Sequence, residues 1–547
     1  MKRSTLKKIE TALWILFALV GVVAVVCFVL LRREGRVTDM PEPNQEKIDG
    51  VIDGDENTAA GLSDQTILLP EHCDLYEAFP EISFEDEAGE VFHSGDFLGT
   101  PVVVVFWASW CEDCGEQMPH MKEFMELAGA YGEIRFLFIN RTDGTRETKE
   151  TAKEYFDELG LDAVCYYDVE ETAYRTLGIR NIPTTFFVDE KGTLLAWSAV
   201  QITKESVFEA YLDNLCRGNR ASTQDFVTGK MTDPSGGVHT TYVPGDEAAT
   251  MASPILSESQ GVMLEYAVQS GQKELFDSTL SYINGSMNRD GLIIWSVTDG
   301  QAGSVNALVD DLRIYGALLQ AQSLWGGYDE ILKAHQAALA AYGVRDGRYV
   351  DFYDAKSRKA AESLTLCYID LYTMEALADV SDECRNAYED ARQILINGQI
   401  SEDFPLFYSR YDYKSKSYAE GELNMAEAMV TLLHLAEAGI LPQNTHDWLR
   451  KQMEYGAILA RYDVNGRVVE GYQYESTAIY ALTALIGREI GDESLQGWAL
   501  RKMEKMRIRD CGKAYNGAFG GEDGSGITSF DQMIPLLVYG VMECTDE

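Results

Sequence analysis

The sequence predicts a multidomain protein: an N-terminal transmembrane helix, an α/β sandwich, and an all-α (α/α)6 toroid. Three observations carry this. Residues 11–31 form an uncharged apolar run. Val102 to Phe106 is a β-branched run that leads straight into two cysteines and is followed by alternating helix and strand signals. Beyond residue 250 only helix-period segments recur. The 547-residue length agrees, since it exceeds what one hydrophobic core usually serves.

Composition limits the function classes. The chain carries 46 Lys+Arg against 88 Asp+Glu, a net charge of −42, yet 46% of it is hydrophobic and 11% aromatic, so it folds. Such an excess of acid repels phosphate backbones, anionic headgroups and acidic polymers, which excludes nucleic acid and leaves neutral or cationic partners. The first 36 residues hold seven basic and two acidic residues, so the acidity belongs to the rest of the chain.

The 21-residue apolar run at 11–31 is long enough as a helix to cross about 30 Å of hydrocarbon. Arg32, Arg33 and Arg36 follow it with no small-residue cleavage site, so it reads as an uncleaved anchor. Lys2, Arg3, Lys7 and Lys8 precede it, which puts residues 1–10 in the cytoplasm and the later domains outside, as a single-pass cell-membrane protein. Residues 32–70 are an acidic, Pro/Gly-punctuated linker.

The α/β domain spans 71–218. The motif Trp107-Ala-Ser-Trp110-Cys111-Glu-Asp-Cys114 sits where strand becomes helix. Backbone N–H groups and the dipole of a helix N-terminus favour a thiolate, which makes Cys111 the attacking nucleophile and Cys114 the resolving thiol. Strand and helix signals alternate through 116–128, 134–139, 147–159, 163–167 and 170–177, then Asn181-Ile182-Pro183-Thr184-Thr185-Phe186-Phe187-Val188 follows. No second Cys pair has zinc-site spacing, so no metal is expected.

This segment resembles the membrane-anchored thioredoxin-like proteins of the TlpA and ResA type. The resemblance rests on Trp107, the Trp-Cys-x-x-Cys core with Trp110, Pro119, and the Ile182-Pro183-Thr184 segment. It implies that Pro183 is a cis-proline beside the active site and that the only redox group is the Cys111–Cys114 disulfide. Two departures matter. The family has Pro before the second cysteine and Glu three residues after it; here stand Asp113 and Gln117. Glu112 and Asp113 oppose thiolate formation, which predicts a reducing couple. Glu116 is a candidate for the missing acid, with a solvated helix glutamate as the alternative. Cys73 and Cys165 are candidates for a second pair.

After a second linker at 219–249, residues 250–547 carry helix signals at about 258–271, 272–286, 304–324, 328–343, 361–379, 382–398, 423–438, 445–461, 474–490, 493–506 and 527–543, with no convincing strands. The 425–436 segment is apolar nearly all round, as an inner helix of a closed ring must be.

Here Ser257-Glu258-Ser259-Gln260-Gly261 and Gly291-Leu-Ile-Ile-Trp295 resemble segments of glycoside hydrolase family 8. Its helical signature is matched at Ala307, Asp311, Ile314, Ala317, Leu318, Ala321 and Trp325, but the family's first aspartate falls on Val309. The likeness is to the branch associated with exopolysaccharide synthesis in Gram-positive bacteria. It implies that Glu258 is the general acid of an inverting hydrolysis, which needs a second carboxylate on the far side of a water. Glu427, in the first turn of the 425–436 helix, is the leading base, with Asp412 and Glu475 as rivals. A capping box by Ser257 and Gln260 is the competing reason for an acid at Glu258.

Asp310 is a candidate replacement for the aspartate lost at Val309. Asp311 lies beside the apolar stripe Leu308, Leu312, Tyr315 and Leu319, so it is expected to be buried and paired with Arg313 or a substrate hydroxyl. Trp295, Tyr368 and Tyr411 are candidate sugar-stacking rings. The implied function is a membrane-anchored glycosidase acting on a β-linked exopolysaccharide, with a thiol–disulfide exchange partner and an exopolysaccharide synthase complex as associates. The alternative is an oxidoreductase whose helical part only binds.

Overall fold

The computed structural model describes residues 73–542. The predicted span at 11–31, the linker at 32–70, Cys27 and Cys544 lie outside them; no helix among the described residues is long and apolar enough to cross a membrane.

The first domain is one seven-stranded sheet with helices on both faces. Its strands are β1 (Ser83–Glu85), β2 (Val91–His93), β3 (Val102–Trp107), β4 (Arg135–Thr142), β5 (Cys165–Val169), β6 (Thr184–Val188) and β7 (Leu194–Ser198), in spatial order β2-β1-β5-β4-β3-β6-β7. The fully buried run in β3 pairs parallel with β4 (Val104 opposite Leu137) and antiparallel with β6 (Val105 opposite Thr185). Its helices are α1 (Glu112–Gln117), α2 (Met121–Ala128), α3 (Lys149–Leu159), α4 (Thr172–Leu177) and α5 (Glu205–Arg217). The single helix expected at 116–128 is broken by a 3-10 turn at Met118–His120, because Pro119 has no N–H to continue the ladder.

The second domain is a closed ring. Its helices are α6 (Asn219–Phe226), α7 (Glu247–Ala252), α8 (Ser257–Gln269), α9 (Lys273–Tyr282), α10 (Leu308–Leu324), α11 (Asp329–Ala338), α12 (Leu371–Ala378), α13 (Asp382–Ile396), α14 (Met425–Glu437), α15 (Gln443–Tyr455), α16 (Thr477–Glu489), α17 (Glu493–Lys505) and α18 (Ser529–Met542). Helices α8, α10, α12, α14, α16 and α18 pack in sequence, and α18 packs back on α8, which closes the inner ring. The inner helices α8, α10, α12 and α16 each pack on the outer helix that follows them, α15 packs on α17, and the outer helix packed on α18 is α6.

That last pairing corrects the linker expected at 219–249. Helix α6 follows α5 after the single residue Gly218, whose φ of 81° a side chain would resist. Phe226, Val227, Met231, Val238 and Tyr242 belong to the toroid core. The segment Asn-Arg-Ala-Ser-Thr-Gln-Asp-Phe shows no apolar period because it is held by polar contacts. Asn219, Ser222 and Thr223 are buried, and Thr223 Oγ1 donates to the Gly517 carbonyl at 2.9 Å.

The junction between domains is a buried polar network. Arg507 donates to Glu504 Oε2 at 2.8 Å, to Thr223 at 2.7 Å and to Ser222 at 3.2 Å. Arg509 donates to Glu504 at 2.6 Å and, across the junction, to Asn214 of α5 at 3.2 Å. Asn219 donates to Tyr76 Oη at 2.6 Å, and Arg501 pairs with Asp74 at 2.7 Å.

Two further expectations fail. Helix signal at 361–379 resolves into a strand at Ser363–Thr365, a 3-10 turn at Leu366–Tyr368 and only then α12. The toroid also has strands: two- and three-residue hairpins such as Asn288–Arg289 with Leu292–Ile293, turned by Asp290 and Gly291 at positive φ. Strands of two residues are too short to show a period.

Two candidate active sites

In the redox domain Cys111 caps α1, and its Sγ accepts from the Cys114 N–H at 3.3 Å. The Cys114 thiol and these amide donors bring the Cys111 thiol down to about 7 against burial and the Asp113 charge. Burial holds Cys114, which is fully enclosed, far above the usual thiol range. Both cysteines are free thiols. The Ile182–Pro183 bond is cis, and Cys111 Sγ donates to the Ile182 carbonyl at 3.3 Å. Trp110 lies under the Arg146 guanidinium, 3.7 Å from the ring centre.

Glu147, fully buried, fixes the preceding turn by accepting from Ser109 N at 2.6 Å and Ser109 Oγ at 2.9 Å. Gln117, where the family carries Glu, is buried and neutral. It donates to Thr185 at 3.1 Å and accepts from Ile202 N at 2.8 Å, so no proton carrier stands there. Glu116 is exposed and bonded to Gln201, and does not replace it. Cys73 and Cys165 are unpaired: their thiols face the carbonyls of Leu177 and Tyr166.

A Cys111 thiol poised near neutrality has a direct readout. Alkylation of Cys111 by iodoacetamide is expected to reach half its limiting rate near pH 7, with Cys114 unreactive in the folded protein. Asp113→Asn removes an opposing charge and moves the midpoint down. A midpoint above pH 8 would contradict the hydrogen-bond account.

In the toroid, in-out alternation makes the inner helices run the same way. Their N-termini, and the partial positive charge there, collect at one end. Glu258 is in the first turn of α8, Asp310 and Asp311 in that of α10, and Glu427 in that of α14. Ser257 Oγ donates to Asp310 at 2.5 Å and Ser257 N to the Trp295 carbonyl at 2.9 Å. The capping box is therefore absent. Leu256 is the N-cap without a side-chain bond, and the Gln260 carboxamide, oriented to satisfy its neighbours, bonds Gly236 and Val238.

Burial raises several acids of the ring, Asp311 well above the usual carboxylate range, and Glu258 is among them. Burial, then the Asp310 and Glu427 charges, push its carboxyl up to about 7, while Arg313 opposes. Burial raises Asp310 to about 6 against the Ser257 bond. Glu427 is raised by burial and by Asp351, and lowered by Arg461. The rivals fall away: Asp412 turns into its own loop, accepting from Ser415 N at 2.6 Å and Oγ at 2.8 Å, and Glu475 is bonded to Tyr480.

Asp311 is buried as expected, but its partner is Asn306 at 2.6 Å rather than Arg313, which pairs with Glu265 at 3.5 Å. Tyr368 stands among the acids: Asp351, Asp310 and Glu427 all act on its hydroxyl, and burial keeps it neutral. Trp295 is half-buried, and its carbonyl supports Ser257 beside Glu258. Tyr411 packs on Tyr413 and Tyr418 instead.

Asp351 is a residue that sequence reading missed. It is buried, accepts from Ser363 Oγ at 2.7 Å and Thr365 N at 2.5 Å, and acts on both Glu427 and Tyr368. It sits in a loop with no period to point at it. An acid directly after the apolar pair Tyr349-Val350 was its one signal.

Comparison with known proteins agrees with this geometry. Residues 75–196 match the AhpC/TSA family model. Residues 75–196 are a thioredoxin-like domain. The chain is similar to the thiol-disulfide oxidoreductase ResA of Geobacillus thermodenitrificans, 26% identical over 23% of this chain and 71% of that one. It is also similar to the Bacillus subtilis protein described as "Putative lipoprotein YdaJ", 28% identical over 52% of this chain and 78% of that one. Among solved structures, one described as a novel alpha-amylase from Clostridium perfringens is 29% identical with a TM-score of 0.55, over 59% of this chain and 97% of that one. The chain thus joins a thiol–disulfide oxidoreductase domain to a helical domain similar to a glycosidase.

Proposed function

We propose that the protein is a membrane-anchored, extracytoplasmic glycosidase that hydrolyses a neutral or cationic β-linked exopolysaccharide, joined to a reducing thiol–disulfide domain. The observation that carries the hydrolase reading is Glu258, a carboxyl held near 7 beside a second carboxylate at one end of a closed helical ring. In this reading protonated Glu258 gives its proton to the glycosidic oxygen. Glu427 takes a proton from the water that attacks the anomeric carbon from the opposite face, so the configuration inverts. Asp310 keeps Glu258 protonated by like-charge repulsion, and Tyr368 offers a neutral hydroxyl to the sugar.

The test is incubation of residues 37–547 with the producer's own polysaccharide and a panel of neutral glucans. Release of reducing ends with inverted anomeric configuration is expected; no release from any glycan overturns the reading. The Clostridium perfringens neighbour is described as an alpha-amylase, which favours α-glucans as a second substrate class on that panel. Val309, apolar and half-buried where the family has aspartate, favours the reading of the ring as a binding module alone. That outcome would appear as glycan binding without hydrolysis, while insulin disulfides are still reduced.

Asp310→Asn is expected to lower the Glu258 pKa and move the alkaline limb of kcat/KM to lower pH. The acid must be protonated, so activity is present below its pKa and lost above it. An unmoved limb would remove Asp310 from the site's electrostatics.

A further inference from the structure

Between the two domains runs a groove of about 430 Å³ that neither active site accounts for. One wall is 197–204 of the redox domain, the end of β7 and the loop after it, and this loop is bonded to elements of the redox centre. Ile202 N donates to Gln117 of α1 at 2.8 Å, and Gln201 donates to Glu116 at 3.1 Å. Asn181 donates to the Ala199 carbonyl, one residue before Ile182, whose own carbonyl accepts from Cys111. Hydrogen bonds thus tie this wall of the groove to the helix that carries Cys114 and to the residue before Ile182, with Val200, 38% exposed, in the lining.

The other wall is the toroid segment 501–513, and its charge runs against the rest of the chain. Acids outnumber bases nearly two to one overall. Over both walls and Glu522, six basic residues (Lys204, Arg501, Lys505, Arg507, Arg509 and Lys513) line the groove with three acids, Glu504, Asp510 and Glu522, and Arg501 is paired with Asp74. Arg507 and Arg509 are committed to Glu504 and Arg501 to Asp74, so the positive charge left to face a ligand is carried by lysines. Lys204 and Lys505 are exposed. On a chain of net charge −42 these exposed lysines give the groove a local positive potential that complements a negative ligand.

We propose that this groove docks an acidic, extended segment of the disulfide-bearing protein on which Cys111 acts. The proposal rests on the oxidoreductase reading of the Cys111–Cys114 pair, which makes a polypeptide the occupant, since the substrate must carry a disulfide. In the reaction the Cys111 thiolate attacks one sulfur of the partner's disulfide and the other sulfur leaves as a thiolate. Cys114 then attacks Cys111, giving the Cys111–Cys114 disulfide and a partner with two thiols and two more electrons. The helical ring would thus supply half of the redox domain's substrate surface.

The experiment is single-turnover reduction by residues 37–547, reduced beforehand with dithiothreitol. Two synthetic peptides carry the same internal disulfide, flanked by glutamates in one and glutamines in the other. The acidic peptide is expected to react about tenfold faster at low ionic strength, with the advantage lost in high salt. The double variant Lys204→Glu/Lys505→Glu is expected to abolish that preference while the glutamine peptide and iodoacetamide react at their former rates. Equal rates for the two peptides, or a preference that survives charge reversal, overturn the docking site. Binding of polygalacturonate without any peptide preference assigns the groove to an acidic glycan and overturns it as well. Failure to reduce either peptide overturns the oxidoreductase reading itself.

Discussion

Glu258→Gln is expected to reduce glycan hydrolysis by a factor of about 10² to 10⁴ while leaving glycan binding intact. Glutamine keeps the shape and the hydrogen bonding of the acid but has no proton to give. In the proposed hydrolysis that proton goes to the glycosidic oxygen. Burial alone raises the carboxyl, and the Asp310 and Glu427 charges raise it further to about 7, so at neutral pH a large fraction is protonated. Release of reducing ends by the variant and by the parent chain, compared across pH, checks this. The parent's activity should decline as pH rises through about 7. A variant with full activity would show that Glu258 is an ordinary acid at a helix start.

The second large effect is structural. Glu504→Ala is expected to destabilise the protein by about 3–5 kcal/mol and to split one unfolding transition into two, with the redox domain and the ring melting apart. Arg507 is 0% exposed and Glu504 4% exposed, so removing the carboxylate strands a buried guanidinium. Against burial, Arg507 and Arg509 hold the Glu504 carboxyl down to about 2. A carboxyl whose folded pKa is depressed stabilises the fold above its ordinary value near 4.5 and loses that contribution as pH falls toward 2. The parent chain should therefore lose its single transition in acid, and calorimetry at descending pH reads this. A variant that loses less than about 1 kcal/mol would mean that apolar contacts alone hold the domains together.

The redox half was legible because its signals are local and strong. A buried parallel strand reads as a continuous β-branched run, as in Val102–Phe106, and a Cys pair at its end marks the helix start. The ring was legible through its inner helices, which are apolar nearly all round. What stayed hidden was held by polar contacts. Helix α6 has no hydrophobic face because Asn219 and Thr223 bind the neighbouring backbone, so the ring's sixth outer helix read as linker. The two-residue hairpins carry no period. In the cleft Glu258 and Glu427 were found as acids at helix starts. Asp351 lies in a loop, and its importance comes from distant segments brought together by the ring. The same holds for Asn306, which took the place given to Arg313 as the partner of Asp311.

The position of α6 bears on how the chain is made. The ring's outer helix α6 directly follows the redox domain, while its partner α18 is the last helix described. The bond from Thr223 to Gly517 joins residues 294 apart. A chain emerging from its N-terminus delivers every strand of the thioredoxin-like sheet before the ring begins, and only junction contacts such as Arg509 with Asn214 wait for later residues. The ring cannot close until its final helix is delivered, and most of its length must wait with one seam open. During that interval the folded redox domain stands beside an unfinished partner, its thiols already formed while Cys367, Cys384 and Cys511 of the ring are still finding their places.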